Sequence, residues 1–324
     1  MRRFIVARAQ QTAIVAFVVT TLAFVLVHVA PGDPFAVSPD DPPEVAVARE
    51  QLRAAYALDR PLAVQYPLML ANFVRGNFGD SFTKAMPVRT VLADVIPRTL
   101  ILMLPALIVG VIAGAALGTM QGVYADRWFD RVTGVGALTL LSVPEFLLAL
   151  LASVVFAVRL GWLPGTGMLS AELGPASSAS ARVADLARHL VLPGGTLALV
   201  VAAIVSRFQR AAVVDALQEE FVRAVRAKGL AVRRVVARHV ARRTAGSLWT
   251  LVGLLFPTLV AGAAFVEMVF GWPGAGSTLL RAVNGRDYPL VIALVLVGAI
   301  AVSVGSALAD IGAARANPAA RLEA

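Results

Sequence analysis

The chain alternates between long apolar runs and shorter segments that carry most of its charged residues. Six of these runs have about the length of a helix that crosses the hydrocarbon core of a bilayer, which takes about 20 residues. They cover approximately residues 9–30, 99–123, 134–158, 190–205, 248–269 and 289–309. The pattern predicts an all-α, polytopic membrane protein with about six transmembrane helices.

Composition excludes several other classes of protein. Hydrophobic residues make up 58% of the 324 residues and charged residues only 15%, which is not the balance of a soluble domain. The chain has no cysteine, so disulfides, thiolate metal sites and cysteine nucleophiles are excluded. The net charge of +9 comes from lysines and arginines clustered between the apolar runs. That placement is typical of membrane orientation, and we expect no nucleic-acid partner.

The distribution of positive charge predicts the topology. Arg2, Arg3 and Arg8 precede the first run and place the N-terminus in the cytoplasm. We expect a multi-pass protein of the cytoplasmic (inner) membrane with both termini in the cytoplasm. The predicted parts are a first transmembrane helix at 1–30, an external subdomain at 31–96, a core at 97–311 with five transmembrane helices and a cytoplasmic loop at 206–247, and a cytoplasmic tail at 312–324.

The loop before the fifth run has an unusual pattern. Apolar residues recur at helical spacing on both sides of Gly229, and the cations occupy other positions. A glycine at such a point commonly ends one helix and begins a turn. The pattern predicts a compact basic helix–turn–helix at the membrane surface. Taken alone, these residues also fit a basic loop that rests on anionic lipid.

Three motifs resemble one family. The loop segment Phe221–Leu230 followed by Arg238-His239, the pentapeptide Ala-Pro-Gly-Asp-Pro at 30–34 and the segment 267–276 are similar to ABC-importer permeases of the oligopeptide/dipeptide/nickel class, in their first permease subunit type. In that family the loop docks the ATP-hydrolysing subunit. The resemblance implies a docking role for Glu219, Phe221, Arg223, Arg226, Lys228, Gly229, Leu230, Arg234 and His239.

The resemblance implies both a fold and a set of partners. The expected fold is the type I ABC-importer permease, with a small periplasmic subdomain after the first helix. The expected partners are a second homologous permease subunit, two ATP-binding subunits, an extracytoplasmic substrate-binding protein and membrane lipid. The implied function is to form, with the second permease, a pathway for peptides or a similar small solute. Dipeptides, oligopeptides, nickel chelates and glutathione all stay open as substrates.

The chain is not expected to be an enzyme. Its two lysines, Lys84 and Lys228, both lie outside any phosphate-binding loop of the Gly-x-x-x-x-Gly-Lys type. ATP and Mg²⁺ are therefore expected on the partner ATPase subunits, and this chain is expected to bind no cofactor and no metal.

Polar residues within the apolar runs are the candidates for the pathway. Glu145 follows Pro144 near the middle of the third run, and a carboxylate there is costly unless it meets a partner or water. Ser142 and Glu267 complete the set of pathway candidates. Two alternatives stay open: Glu145 as a hydrogen-bonded structural residue, and a secondary transporter that uses Glu145 as an ion or proton site.

Glycines recur every four residues in the second run, at Gly110, Gly114 and Gly118. Such a ladder allows two helices to approach closely. It predicts tight packing within this subunit in preference to a seam between two subunits.

Overall fold

A computed structural model of the chain describes residues 2–30, 59–172, 177–220, 232–236 and 240–316, together with single positions at 44, 47, 50, 51, 53 and 222. These residues are mostly helical, which confirms the predicted fold class. The helices are α1 (Arg2–Val29), α2 (Leu62–Val74), α3 (Val88–Val123), α4 (Trp128–Ser142), α5 (Glu145–Ala152, continued by a π-helical segment, Ser153–Arg159), α6 (Ala179–Gln218), α7 (Val232–Val235), α8 (Ala241–Val269), α9 (Ala275–Asn284) and α10 (Tyr288–Ala316). A short hairpin pairs β1 (Asp80–Ser81) with β2 (Met86–Pro87).

The number of candidate spans agrees with the sequence. In the described part of the chain, α1, α3, α6 and α10 are each long and apolar enough to cross a membrane. Two further spans exist if each bent helix pair is counted as one: α4 with α5, and the two halves of α8. The structure therefore has four to six candidate spans, and about six were predicted.

The third predicted span is broken at Pro144: the proline within this run predicts a kinked but continuous helix, and the structure has two separate helices. The helix axis turns by 103° between α4 and α5. Val143 lies between them with extended backbone angles, φ −90° and ψ 128°. A residue before proline is driven out of the helical region by contact with the proline ring, so α4 ends there. Pro144 then precedes the first turn of α5, where its missing N–H costs nothing.

Two helices are much longer than their apolar runs. The sequence placed the fourth span at 190–205, but α6 has 40 residues and contains Pro193. At 1.5 Å per residue it is about 60 Å long, twice the hydrocarbon thickness. Likewise α3 begins at Val88, well before the predicted start of the second span. Hydropathy marks only the part of a helix that crosses the bilayer, so it cannot show where the helix ends.

By internal contacts the chain divides into two units, and each is described separately. Unit 1 comprises Met1–Pro97 and Thr278–Ala301. Its apolar core packs Ala23 and Phe24 of α1 against Ile292 of α10 and against α2. Asp287 precedes α10 and is fully buried, where it accepts hydrogen bonds from Ser81 Oγ (2.5 Å), Thr83 N (3.0 Å) and Thr83 Oγ1 (2.7 Å). These bonds fix the hairpin to the start of α10.

Unit 2 comprises Arg98–Ser277 and Val302–Ala324, and its core is built around α6. The glycine ladder of α3 packs against α6 of the same chain, which confirms the prediction of close packing within the subunit. A Cβ added to Gly110 would lie 2.6 Å from Val201 Cβ, and one added to Gly114 would lie 2.7 Å from Ala202 O. The ladder extends one step further than the sequence analysis noted, because Gly122 touches Val213 in the same way.

Candidate functional site

Two helix breaks of unit 2 come together at Glu145. Its side chain is half-buried at the start of α5 and lies against Gly262 of α8. A Cβ built on Gly262 would lie 2.8 Å from the carboxyl carbon of Glu145 and would collide with Oε2. Helix α8 bends by 57° between Pro257 and Gly262. A carboxylate at the junction of two broken helices matches the way in which transport proteins build polar sites within the membrane.

The other pathway candidates near the break are exposed on this chain. Ser142 ends α4, and its hydroxyl donates to the carbonyl of Leu138 (2.9 Å), one turn earlier in the same helix. Pro144 is also exposed. No described residue donates a hydrogen bond to the Glu145 carboxylate, so its oxygens have acceptor capacity left for water or a solute.

Glu267, the fourth pathway candidate, has a different environment. It lies at the end of α8 with no exposed surface, and its oxygens accept from Thr99 Oγ1 (2.6 Å) and from the backbone N–H of Ser277 (2.8 Å). Thr99 in turn accepts from the backbone N–H of Ala275 (2.7 Å). Within this chain Glu267 therefore has a structural role, since it holds the segment after α8 against α3.

The segment 267–276 forms a compact turn around that carboxylate. Trp272 is fully buried, and its indole N–H donates to the carbonyl of Arg98 (3.0 Å). Gly271 adopts φ +59°, which favours glycine. Gly274 and Gly276 leave no room for a side chain: a Cβ on Gly274 would collide with Glu267, and one on Gly276 would lie 2.5 Å from Ala264 Cα. The three glycines of the motif thus have two physical reasons: the positive φ of Gly271, and the close approach of a carboxylate or backbone to Gly274 and Gly276.

The base of the predicted docking loop is held by an ion pair. Arg210 of α6 binds Asp130 of α4 through two hydrogen bonds of 2.6 Å, from Nε to Oδ1 and from Nη2 to Oδ2. The Asp130 side chain is only 5% exposed, and Oδ2 also accepts from the backbone N–H of Asp126 (2.9 Å). A bidentate arginine–carboxylate pair fixes orientation as well as distance. It ties α6 to the α3–α4 connection about two turns before α6 ends at Gln218.

Further contacts join both ends of the loop. Val213 and Ala216 of α6 form a small buried cluster with Val240, just before α8. Glu219, directly after α6, pairs with Arg243 of α8 at 3.1 Å, with side chains 42% and 64% exposed. The end of α6 and the start of α8, which flank the loop, are therefore packed against each other.

The structure describes only part of the predicted docking set. Glu219 forms the ion pair with Arg243, and Arg234 is exposed on α7. The remaining predicted docking residues lie outside the described residues: Phe221, Arg223, Arg226, Lys228, Gly229, Leu230 and His239. Residues 44–58 also have the sequence pattern of a helix, but most of them lie outside the described residues as well.

Sequence reasoning missed the Asp130–Arg210 pair and the role of Gln209. The amide of Gln209 is buried, and its Nε2 lies 3.2 Å from Thr119 Oγ1 of α3 and 3.1 Å from Thr244 Oγ1 of α8. The available signal was the alternation of acids and arginines at 126–131 opposite the arginines that end the fourth run. Opposite charges at span ends on one side of a membrane are candidates for pairing.

In the part of the chain that the structure describes, no group of three or more His, Asp or Glu residues could hold a metal ion.

The described residues combine several long apolar helices with two bent spans that meet at a carboxylate, an arrangement found in membrane transport proteins. Comparison with known proteins identifies the family. Residues 106–322 match the family described as the binding-protein-dependent transport system inner membrane component, and residues 1–103 match its N-terminal family. The chain belongs to this family.

Similar proteins cover nearly the whole chain. A putative peptide permease protein of Brucella suis biovar 1 is 38% identical over 303 residues, which is 92% of each chain. The glutathione transport system permease protein GsiC of Escherichia coli K12 is 36% identical over 308 residues, 94% of each chain. The GsiC protein of Salmonella typhi is 36% identical over 307 residues, again 94% of each.

These matches confirm the predicted class. The chain is a permease subunit of an ABC importer, an inner-membrane component that is not itself catalytic and that works with ATPase and binding-protein partners. The alternative of a secondary transporter that uses Glu145 as an ion site is not supported.

Proposed function

We propose that this chain and a second, homologous permease subunit together form the pathway for peptides or a similar small solute. The observation that carries the proposal is the junction of the α4–α5 break with the bend of α8 at Glu145 and Gly262. A carboxylate with unfilled acceptor capacity would attract the cationic amino end of a peptide. Glutathione has such an amino group too, so the names of both kinds of relative fit this chemistry.

Uptake into proteoliposomes tests the proposal. The complex that co-purifies with the full-length chain would be reconstituted with its binding protein, and ATP-dependent entry of labelled dipeptides, tripeptides and glutathione would be measured. We expect uptake of at least one of these, and no uptake when this chain is omitted. Uptake of a solute without a free amino group, with none of the peptides transported, would overturn the proposed substrate class.

The loop 206–247 is proposed to dock one of two ATPase subunits, which bind ATP and Mg²⁺, while this chain binds no cofactor. The hydrogen bonds of Arg210 and Gln209 support this role. They join α6 to α3, α4 and α8, so a movement of the loop would be transmitted to these helices. Gly229→Val tests it, since a β-branched residue resists a left-handed turn. We expect lower substrate-stimulated ATPase activity with normal membrane insertion, and unchanged stimulation would refute docking.

The proposed topology has both termini and the loop 206–247 in the cytoplasm and residues 31–96 outside. The proposed parts are a first helix at 1–30, the external subdomain, a core at 97–311 and a tail at 312–324. Two exposed positions suit a cysteine-labelling test in this cysteine-free chain, Lys84 and Arg242. Lys84→Cys should react with an impermeant thiol reagent on intact cells, and Arg242→Cys should react only after lysis. The reverse pattern would contradict the topology.

A further inference from the structure

An apolar groove of about 430 Å³ lies within unit 1. One wall is the second half of α1, from Val19 to Ala30, and the other includes Val291 and Val295 of α10. Leu22 and Leu26 on the α1 wall are 55% and 67% exposed. Both helices are candidate membrane spans, so the groove lies among surfaces that a bilayer would cover.

The length of the groove along α1 matches the hydrocarbon thickness of one bilayer leaflet. From Val19 to Val29 α1 rises about 15 Å at 1.5 Å per residue. The hydrocarbon core is about 30 Å thick, so one leaflet contributes about 15 Å. The groove reaches the end of α1 and the start of α10, where Tyr288 lines it, and tyrosine is enriched at the level of lipid headgroups.

Among the residues that the structure describes, Arg286 is the one cation that lines this apolar groove, at its headgroup end. Arg286 precedes α10, is exposed, and forms no ion pair with any residue that the structure describes. The neighbouring Asp287 does not neutralise it, because that carboxylate is fully buried and accepts from Ser81 and Thr83. Arg286 also adopts φ +51°, which is unfavourable for a residue with a Cβ. Strained residues of this kind are often retained for function.

We infer that the groove binds one acyl chain of an anionic phospholipid, with the phosphate held by the guanidinium of Arg286. Arginine presents paired N–H donors that match phosphate oxygens. A helix of a partner subunit would supply no phosphate for Arg286, whereas an anionic phospholipid supplies both an acyl chain for the groove and a phosphate for the guanidinium. The orientation proposed above decides only which leaflet supplies the lipid, and the site itself does not depend on it.

Photo-crosslinking of lipid tests the inference. The full-length chain, with the subunits that co-purify with it, would be placed in nanodiscs containing a trace of phosphatidylglycerol with a diazirine in its acyl chain. Mass spectrometry would then locate the labelled peptides. We expect labelling on Leu22, Leu26 or Val295 to be about fivefold higher with this probe than with the matching phosphatidylcholine probe, the effect of one arginine at a headgroup.

Variants separate the charge from general lipid contact. Arg286→Gln should remove the fivefold preference, and Arg286→Lys should keep most of it. Arg159→Gln is the matched control, because Arg159 is an exposed arginine at the end of another span and does not line the groove. Equal labelling by the two lipid probes in the unaltered complex would overturn the inference, and so would crosslinks between these positions and a partner subunit in place of lipid. Because the two probes are compared on the unaltered complex, this result does not depend on whether any variant folds.

Discussion

Glu145 and Glu267 are both glutamates of unit 2 that follow the sequence pattern of a costly carboxylate within an apolar run, yet their surroundings differ. Glu267 has no exposed surface and accepts hydrogen bonds from Thr99 and Ser277. Glu145 is half-buried, lies against a glycine, and accepts no hydrogen bond from a described residue. From this difference we expect a pathway role for Glu145, whose own chain leaves its oxygens unsatisfied, and a structural role for Glu267.

The largest expected effect is on stability, from Glu267→Ala. The substitution leaves the Thr99 hydroxyl and the Ser277 N–H buried without their acceptor, which costs about 2–4 kcal/mol for the two donors together. Thermal unfolding of the purified complex in detergent would measure it. Transport per assembled complex should be retained. Normal stability combined with lost transport would instead give Glu267 a pathway role and remove the contrast with Glu145.

The next effect is expected at a third carboxylate, Asp130, which is also satisfied within the chain. Asp130→Asn loses the charge-assisted pair with Arg210, and we expect a loss of roughly 2 kcal/mol, since the arginine is partly exposed. Glu219→Gln is the matched control, because its pair with Arg243 is exposed and worth at most about 1 kcal/mol. Equal losses in the two variants would mean that burial does not distinguish the two pairs.

Gly262 allows a smaller and more specific perturbation of the Glu145 site. Gly262→Ala would place a Cβ against the carboxylate and move it, at little cost in stability because the end of a flexible side chain can shift. Uptake of substrates with a cationic amino end should fall. Glu145→Asp in the same chain should restore part of it by shortening the side chain. Gly298→Ala is the control, because a Cβ there meets open space, and an equal fall in that variant would exclude a local effect.

The sequence predicted the helical class, the number of spans and the family well, because these depend on long apolar runs and on motifs that are read locally. It predicted the glycine ladder for the same reason, since a four-residue repeat lies on one helix face. It did not predict the 103° break at Pro144, because a proline within an apolar run is compatible with either a kink or a break. The sequence also could not predict the hydrogen-bond partners of Glu267 and Asp130. Thr99 is 168 positions from Glu267 and Arg210 is 80 from Asp130, so only tertiary packing brings them together.

The pathway role of Glu145 is the central claim, and one uptake measurement tests it most directly. Glu145→Gln keeps the shape of the side chain and removes its charge. In proteoliposomes, entry of a dipeptide with a free amino end should fall about fivefold relative to the same dipeptide acetylated at that end, the effect of a partly screened charge pair. Stability should stay within about 0.5 kcal/mol of the unaltered complex, as for a substitution that breaks no internal contact. If Glu145→Gln and Glu145→Ala both transport the two dipeptides at the original rates, Glu145 does not line the pathway.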